Sequence, residues 1–256
     1  MKKRYYILIA VLSYLFFTLG NVPAAKVISL IEKNSNIPVK LYGVYGSLWN
    51  GGAEKLLAQG QPPVDNLKWS INPAMLLLAQ LNGEVNASIK NQNLIGNFNV
   101  SALGTVSASD VRARINAAVM QELIQMPLGE LDGVFNINIE YLELKQQAIP
   151  LVKANLKWEN AKITMLESVE LGFVELSIIS NDNDQLTANI LNKKGQILID
   201  GNADLDNKKT YNLNLRLTPD ETASDNIRQS MAMFARRQTD GSYLLKRKGN
   251  LRDLGL

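Results

Sequence analysis

From about residue 95 onward the chain alternates apolar and polar residues one by one, and that alternation limits its fold more than anything else. Phe98, Val100 and Ala102 alternate with Asn97, Asn99 and Ser101. Phe135, Ile137, Ile139 and Tyr141 alternate with Asn136, Asn138 and Glu140. The pattern returns in Val152, Ala154, Leu156 and Trp158, and again in Tyr211, Leu213, Leu215 and Leu217. A period of two puts the apolar side chains on one face of a strand. One apolar face and one polar face indicate antiparallel sheet, packed on one side and wet on the other. Asn82-Gly83, Asp132-Gly133, Lys194-Gly195, Asp200-Gly201 and Asp240-Gly241 read as turns between such strands. Sequential hairpins follow from their close spacing. The expected class is mainly β: an extended, twisted antiparallel sheet that can curl into a groove, with a few short helices.

Asn72-Pro73 opens a short helix through Met75 to Leu78, with Asn as cap and Pro at the first position. Asp110 caps a longer one, in which Val111, Ile115, Val119 and Leu123 recur every four residues until Pro127. A third starts at Ser224 or Asp225, with Ile227, Met231 and Phe234 on one face. Ala24 to Lys33 forms a further stretch that prolongs the N-terminal segment or lies on a membrane surface. These helices are expected to cover the ends of the sheet, since each apolar face needs a partner.

Lys2, Lys3 and Arg4 precede an uncharged apolar run from Tyr5 to Gly20, closed by Asn21 and Pro23. Cations followed by such a run mark a segment inserted with its N-terminus in the cytoplasm. Residues 1–4 are then cytoplasmic, 5–22 form a single transmembrane span, and 23–256 form a periplasmic β-rich domain. A cleaved signal peptide, processed near Val22-Pro23-Ala24, is the competing reading. Tyr5, Tyr6, Tyr14, Phe16 and Phe17 favour retention, because aromatic rings settle at membrane interfaces. Without the three N-terminal cations, 24 cations face 24 carboxylates, so no nucleic-acid partner is expected. With no cysteine and no histidine, thiol chemistry, disulfides, imidazole acid–base catalysis and histidine-based metal sites are excluded.

A weak repeat runs through the chain. Gly46-Ser47-Leu48-Trp49-Asn50-Gly51 and Gly129-Glu130-Leu131-Asp132-Gly133 each open a strand, and each precedes an Asn-Leu-Lys-Trp, ending at Trp69 and Trp158. The match suggests a duplication covering about 40–125 and 126–222, followed by a C-terminal helix and hairpin. Other constellations fail as chemistry. Gly46 and Gly51 have the opening spacing of a phosphate loop, but Gly52 and Ala53 stand where Lys and Ser or Thr belong. Asp182-Asn183-Asp184 starts like a calcium loop, yet Thr187 and Lys193 replace its glycine and bidentate carboxylate. Arg236, Arg237, Lys246, Arg247 and Lys248 read as a solvated basic hairpin. Trp49, Trp69 and Trp158 read as core closures. No catalytic, metal or cofactor-binding residue is expected.

The segments Val44 to Ala53 and Leu67 to Pro73, with Leu76, Leu77 and Leu81, and then Asp240 to Leu245 before Gly249-Asn250-Leu251, resemble the type II secretion system protein N family. Gly46, Leu48, Trp49, Gly51, Trp69, Pro73 and Gly241 are the motif positions, of structural character. The resemblance implies a non-catalytic inner-membrane accessory component, with an assembly or scaffolding role in the export of folded proteins across the outer membrane. It implies other subunits of that system as partners. The alternative is a membrane-anchored β-groove protein that binds or carries lipid, as in AsmA-like proteins, which the domain also resembles. An envelope hydrolase working through carboxylates lacks an acidic pair in a recognisable context.

Overall fold

A computed structural model of the chain describes residues 5–6, 13–14, 17–18, 20–34, 38–124, 129–144, 149–165, 167–181 and 185–250. The protein is mainly β and divides into two compact units, residues 1–91 and 92–256.

In the first unit, helix α1 (Ala24–Asn34) is followed by strands β1 (Val39–Tyr42), β2 (Tyr45–Gly46), β3 (Asn50–Ala58), β4 (Val64–Ile71) and β5 (Gln80–Ile89). Their order is β1-β3-β4-β5, every pair antiparallel, with β2 also on β3. β1 and β2 act as one edge strand interrupted at Gly43, whose φ of +63° only glycine adopts without strain. Ala24 and Ala53 are fully buried. Glu32 of α1 accepts a hydrogen bond from the Leu41 amide at 3.1 Å, tying helix to sheet.

The second unit runs through β6 (Gln92–Ser101), β7 (Val106–Asn116), helix α2 (Ala117–Leu123), β8 (Glu130–Leu144), β9 (Leu151–Thr164), β10 (Ser168–Asn181), β11 (Gln185–Lys193), β12 (Ile197–Leu205), β13 (Thr210–Pro219), helix α3 (Asp225–Phe234), β14 (Arg236–Arg237) and β15 (Tyr243–Asn250). The sheet is an open antiparallel meander in which spatial order follows chain order as far as β13. β15 then pairs with β13, and β14 lies beyond it. The alternating segments of the sequence are all strands here.

Two local expectations are corrected. The helix expected from Asp110 is strand as far as Asn116, and only Ala117–Leu123 is helical. Residues four apart share a face in a strand as well as in a helix, so Val111 and Ile115 cannot tell the two apart. Asp110 itself sits at φ +51° beside a bulge, where β6 and β7 shift register. Three Asn-Gly or Asp-Gly pairs lie inside strands. Gly83 and Gly201 face backbone of the neighbouring strand so closely that a Cβ would collide, and Gly133 occupies a bulge in β8. Close approach, not chain reversal, explains these glycines. The Asn72–Pro73 helix is a 3-10 turn, Pro73–Leu78, with Asn72 Oδ1 accepting from the Ala74 amide at 3.0 Å.

Among the described residues no helix is long and apolar enough to cross a membrane. Lys2, Lys3, Arg4 and residues 7–12, 15–16 and 19 of the expected span lie outside the described residues. So do Asp182 to Asp184 and Pro127.

Candidate functional site

Six of the seven motif residues meet at one end of the first unit. Ser47 to Asn50 is the loop of the β2–β3 hairpin, closed by the Ser47 amide donating to the Asn50 carbonyl at 3.0 Å and the Asn50 amide to Ser47 Oγ at 3.0 Å. Gly46, at φ +78°, pairs with Gly51. Gly51 in turn faces Trp69 across the β3–β4 ladder, where a Cβ would fall 2.7 Å from the indole. The Trp69 Nε1–H donates to the Leu48 carbonyl at 3.0 Å, and the Ile71 amide to the Trp49 carbonyl at 2.6 Å. The Leu48 amide donates to the Val22 carbonyl at 2.8 Å, seating the start of α1 against the hairpin. Gly46, Leu48, Trp49, Gly51 and Trp69 thus form a tight turn clamped by an indole. Pro73 then starts the 3-10 turn, whose Leu76, Leu77 and Leu78 are exposed, Leu77 to 89%. The seventh, Gly241, adopts φ +82° in the β14–β15 turn, with open space around it.

The Gly129 to Gly133 segment uses related parts. Gly129 is at φ +76°, and the Trp158 Nε1–H donates to the Asp132 carbonyl at 2.8 Å. The Gln121 side chain of α2 holds this strand at both ends, donating to the Gly129 carbonyl at 2.6 Å and accepting from the Leu131 amide at 3.0 Å. Trp158 stacks on Phe135, ring centres 4.8 Å apart, within the usual aromatic range.

Register makes the apolar face of the second unit explicit. Ile115, Phe135, Trp158, Val174 and Asn192 are successive cross-strand neighbours, and Leu217 faces Tyr243. All seven are buried. Ala117 and Met120 of α2 pack over the first group, and Ile227 and Met231 of α3 over Leu217 and Tyr243. The next row, Ile137-Leu156-Leu176-Ile190-Gly201-Leu215-Leu245, is only half-buried. So is the row beyond it, Ile139-Ala154-Ile178-Ala188-Ala203-Leu213. Among the described residues of this unit no second sheet packs on these rows. Ile137, Leu156, Ile190, Leu215 and Leu245 still pack against these buried clusters, and the row beyond them lies outside both.

Asn192 is the polar member of the buried row, and the sequence reading missed it. Its amide donates to the Leu171 and Ile197 carbonyls at 2.8 and 2.7 Å, and its Oδ1 accepts from the Ile199 amide at 2.5 Å. The available signal was a lone Asn in phase with Leu186, Ala188 and Ile190.

A family model described as Type II secretion system (T2SS), protein N matches residues 38–246. The chain belongs to the type II secretion system protein N family. The match spans all seven motif residues and both units. Comparison with curated proteins gave no significant match, nor did comparison with solved structures.

The polar face of the family domain carries charges of both signs. In the second unit, Arg114–Glu159, Lys153–Glu140, Lys157–Glu175 and Arg216–Asp240 pair at 3.2, 2.7, 3.7 and 2.8 Å. Such exposed pairs each contribute about 0–1 kcal/mol. A polar recess beside the Gly133 and Gly172 bulges is lined by Asp132, Glu159, Lys162, Glu170, Lys193 and Lys194, three carboxylates against three ammonium groups. Among the described residues no group of acidic side chains could hold a metal ion. The hydrogen bond from the Ser242 hydroxyl, aided by its amide and by Arg216, holds the Asp240 carboxyl below its ordinary range. Thr222 does the same for Asp220. The hydrogen bond to Glu143 pushes the Tyr141 phenol up. Asp220 and Asp240 fix turns.

Proposed function

We propose that this chain is a non-catalytic accessory component of the type II secretion system, held in the inner membrane by residues 5–22, with its sheets in the periplasm. Its role is to dock other subunits during export of folded proteins. The open apolar face of the second unit carries this reading. The half-buried row Ile139-Ala154-Ile178-Ala188-Ala203-Leu213, which lies outside both buried clusters, forms the kind of contiguous apolar surface that marks an interaction site. Removing the chain from cells is expected to lower export of the system's cargo. The Ile139→Lys, Leu213→Lys double variant should fail to restore export while remaining folded. Export unchanged by the removal would overturn the reading.

The same face gives a second reading, a lipid-binding trough, because an apolar row left open by the helices suits acyl chains as well as protein. Native mass spectrometry of the gently extracted full chain separates the two. One or more phospholipids retained per chain, and displaced by a fatty acid, would favour the trough. A lipid-free chain would favour docking.

A further inference from the structure

Charge is unevenly spread along this chain. Residues 236–250 hold five cations, Arg236, Arg237, Lys246, Arg247 and Lys248, against one carboxylate, Asp240. Outside that stretch and the first four residues, 19 cations face 23 carboxylates. Asp240 is already engaged by Arg216 at 2.8 Å, so it neutralises none of the five.

The basic stretch coincides with a sheet edge. β13 pairs along the whole of one side of β15, whereas β14 pairs only with Tyr243 and Leu244 on the other. From Leu245 to Gly249, among the described residues, the outer backbone groups face no strand. Lys246, Arg247 and Lys248 on that edge are exposed and form no ion pair among the described residues. Charges on an edge repel a second copy of the same edge, a familiar protection against self-pairing. They also select: the same three cations attract an extended segment of opposite sign, while its backbone completes the ladder.

We propose that the outer edge of β15 takes up an extended acidic segment of another secretion subunit by strand addition. The inference rests on the docking role above and names the chemistry of the partner. Register gives the segment a pattern. Lys246 and Lys248 lie opposite Asn214 and Asn212, on the polar face of the sheet, while Arg247 lies opposite Leu213 on the apolar face. The incoming strand therefore places acidic residues two apart beside the lysines, a third carboxylate beside Arg247, and an apolar residue beside Leu245. Backbone pairing supplies the geometry, and the carboxylates supply the choice of partner.

The test uses the full chain in phosphatidylcholine nanodiscs and a short fluorescent peptide with a central Glu-Glu-Glu-Val flanked by alternating Thr and Glu. The acidic peptide is expected to bind while its lysine counterpart does not, and alternate amides between Leu245 and Gly249 should become protected from hydrogen exchange. Lys246→Glu, Arg247→Glu and Lys248→Glu together should weaken binding by about ten-fold or more, the sum of several exposed charge pairs lost and reversed. N-methylation of the peptide along one edge keeps its charge but removes its pairing groups, so it should abolish binding. Equal binding of the methylated peptide would reduce the edge to a counter-ion surface and overturn the proposal. Protection that appears without peptide in discs containing phosphatidylglycerol, with the peptide then excluded, would assign the cations to the membrane instead. In cells, normal export with the triple variant, but not with the chain removed, would sink the edge and leave the docking role standing.

Discussion

Replacing Asn192 with leucine probes the buried row between the parts that α2 and α3 cover. The native amide satisfies two backbone carbonyls and one backbone amide, at Leu171, Ile197 and Ile199, within 2.5–2.8 Å. Leucine has the same branching and suits the apolar row, though it is bulkier, and it leaves those three groups without a partner in a site where the residue is only 7% exposed. Each unsatisfied buried group costs about 1–3 kcal/mol. Three such groups cost about 3–9 kcal/mol and the added apolar burial returns roughly 1–2 kcal/mol, so a net loss of about 1–8 kcal/mol is expected. Asn192→Asp keeps the acceptor for the Ile199 amide but sets a carboxylate against two carbonyls. It should be at least as damaging at neutral pH, and should recover as the pH falls and the carboxyl regains a donor. Urea unfolding of the detergent-solubilised full chain, followed by tryptophan fluorescence, gives the loss directly. Asn189→Ala, on the exposed face of the same strand, should change stability by less than about 0.5 kcal/mol. A loss below about 1 kcal/mol for Asn192→Leu would refute the reasoning, since the bulged β10–β12 region would then not need this side chain.

Trp158→Ala should cost about 3–5 kcal/mol, the range for emptying a buried aromatic site. Trp69→Ala should cost less, because its indole is only half-buried; equal losses in the two unfolding curves would contradict this. A reporter active only in the periplasm, fused after Leu256, should be active, and the intact chain should fractionate with the inner membrane. Release of a shortened soluble form starting near Ala24 would contradict both. Because the folded-state pKa of Asp240 lies below its unfolded value, its contribution to the β14–β15 turn is present above about pH 3.9 and is lost as pH falls through the folded value. The protection factors of the Gly241 and Ser242 amides, relative to intrinsic exchange at the same pH, should therefore fall below that range. In Asp240→Asn they should be low already at neutral pH.

Much of the fold was legible because strand alternation is local. Phe135 to Tyr141 and Tyr211 to Leu217 needed no partner to declare their faces. Val111 and Ile115 were misleading because a spacing of four satisfies both periods. Gly83, Gly133 and Gly201 look like turn residues in isolation, and only the adjacent strand shows that they make room for its backbone. The first unit's motif was legible as residues but not as a device: nothing in Gly46 to Trp69 reveals that an indole N–H closes the turn 21 residues away. Asn192 and the β15 edge were illegible for a similar reason, since both are defined by what the neighbouring strands leave unsatisfied.

From β7 to β12 each strand pairs with the strands just before and after it in the chain. Loop closure is then brief at every step, and no strand has to wait for a distant segment. A chain of this kind emerging N-terminus first can add strands in order, each one templated by the edge its predecessor has just exposed. The growing edge stays adhesive until β13, β15 and β14 are in place. The most aggregation-prone interval in the life of this unit is therefore the one just before its last step, while β13, with Arg216 as its one charge, is still the open edge.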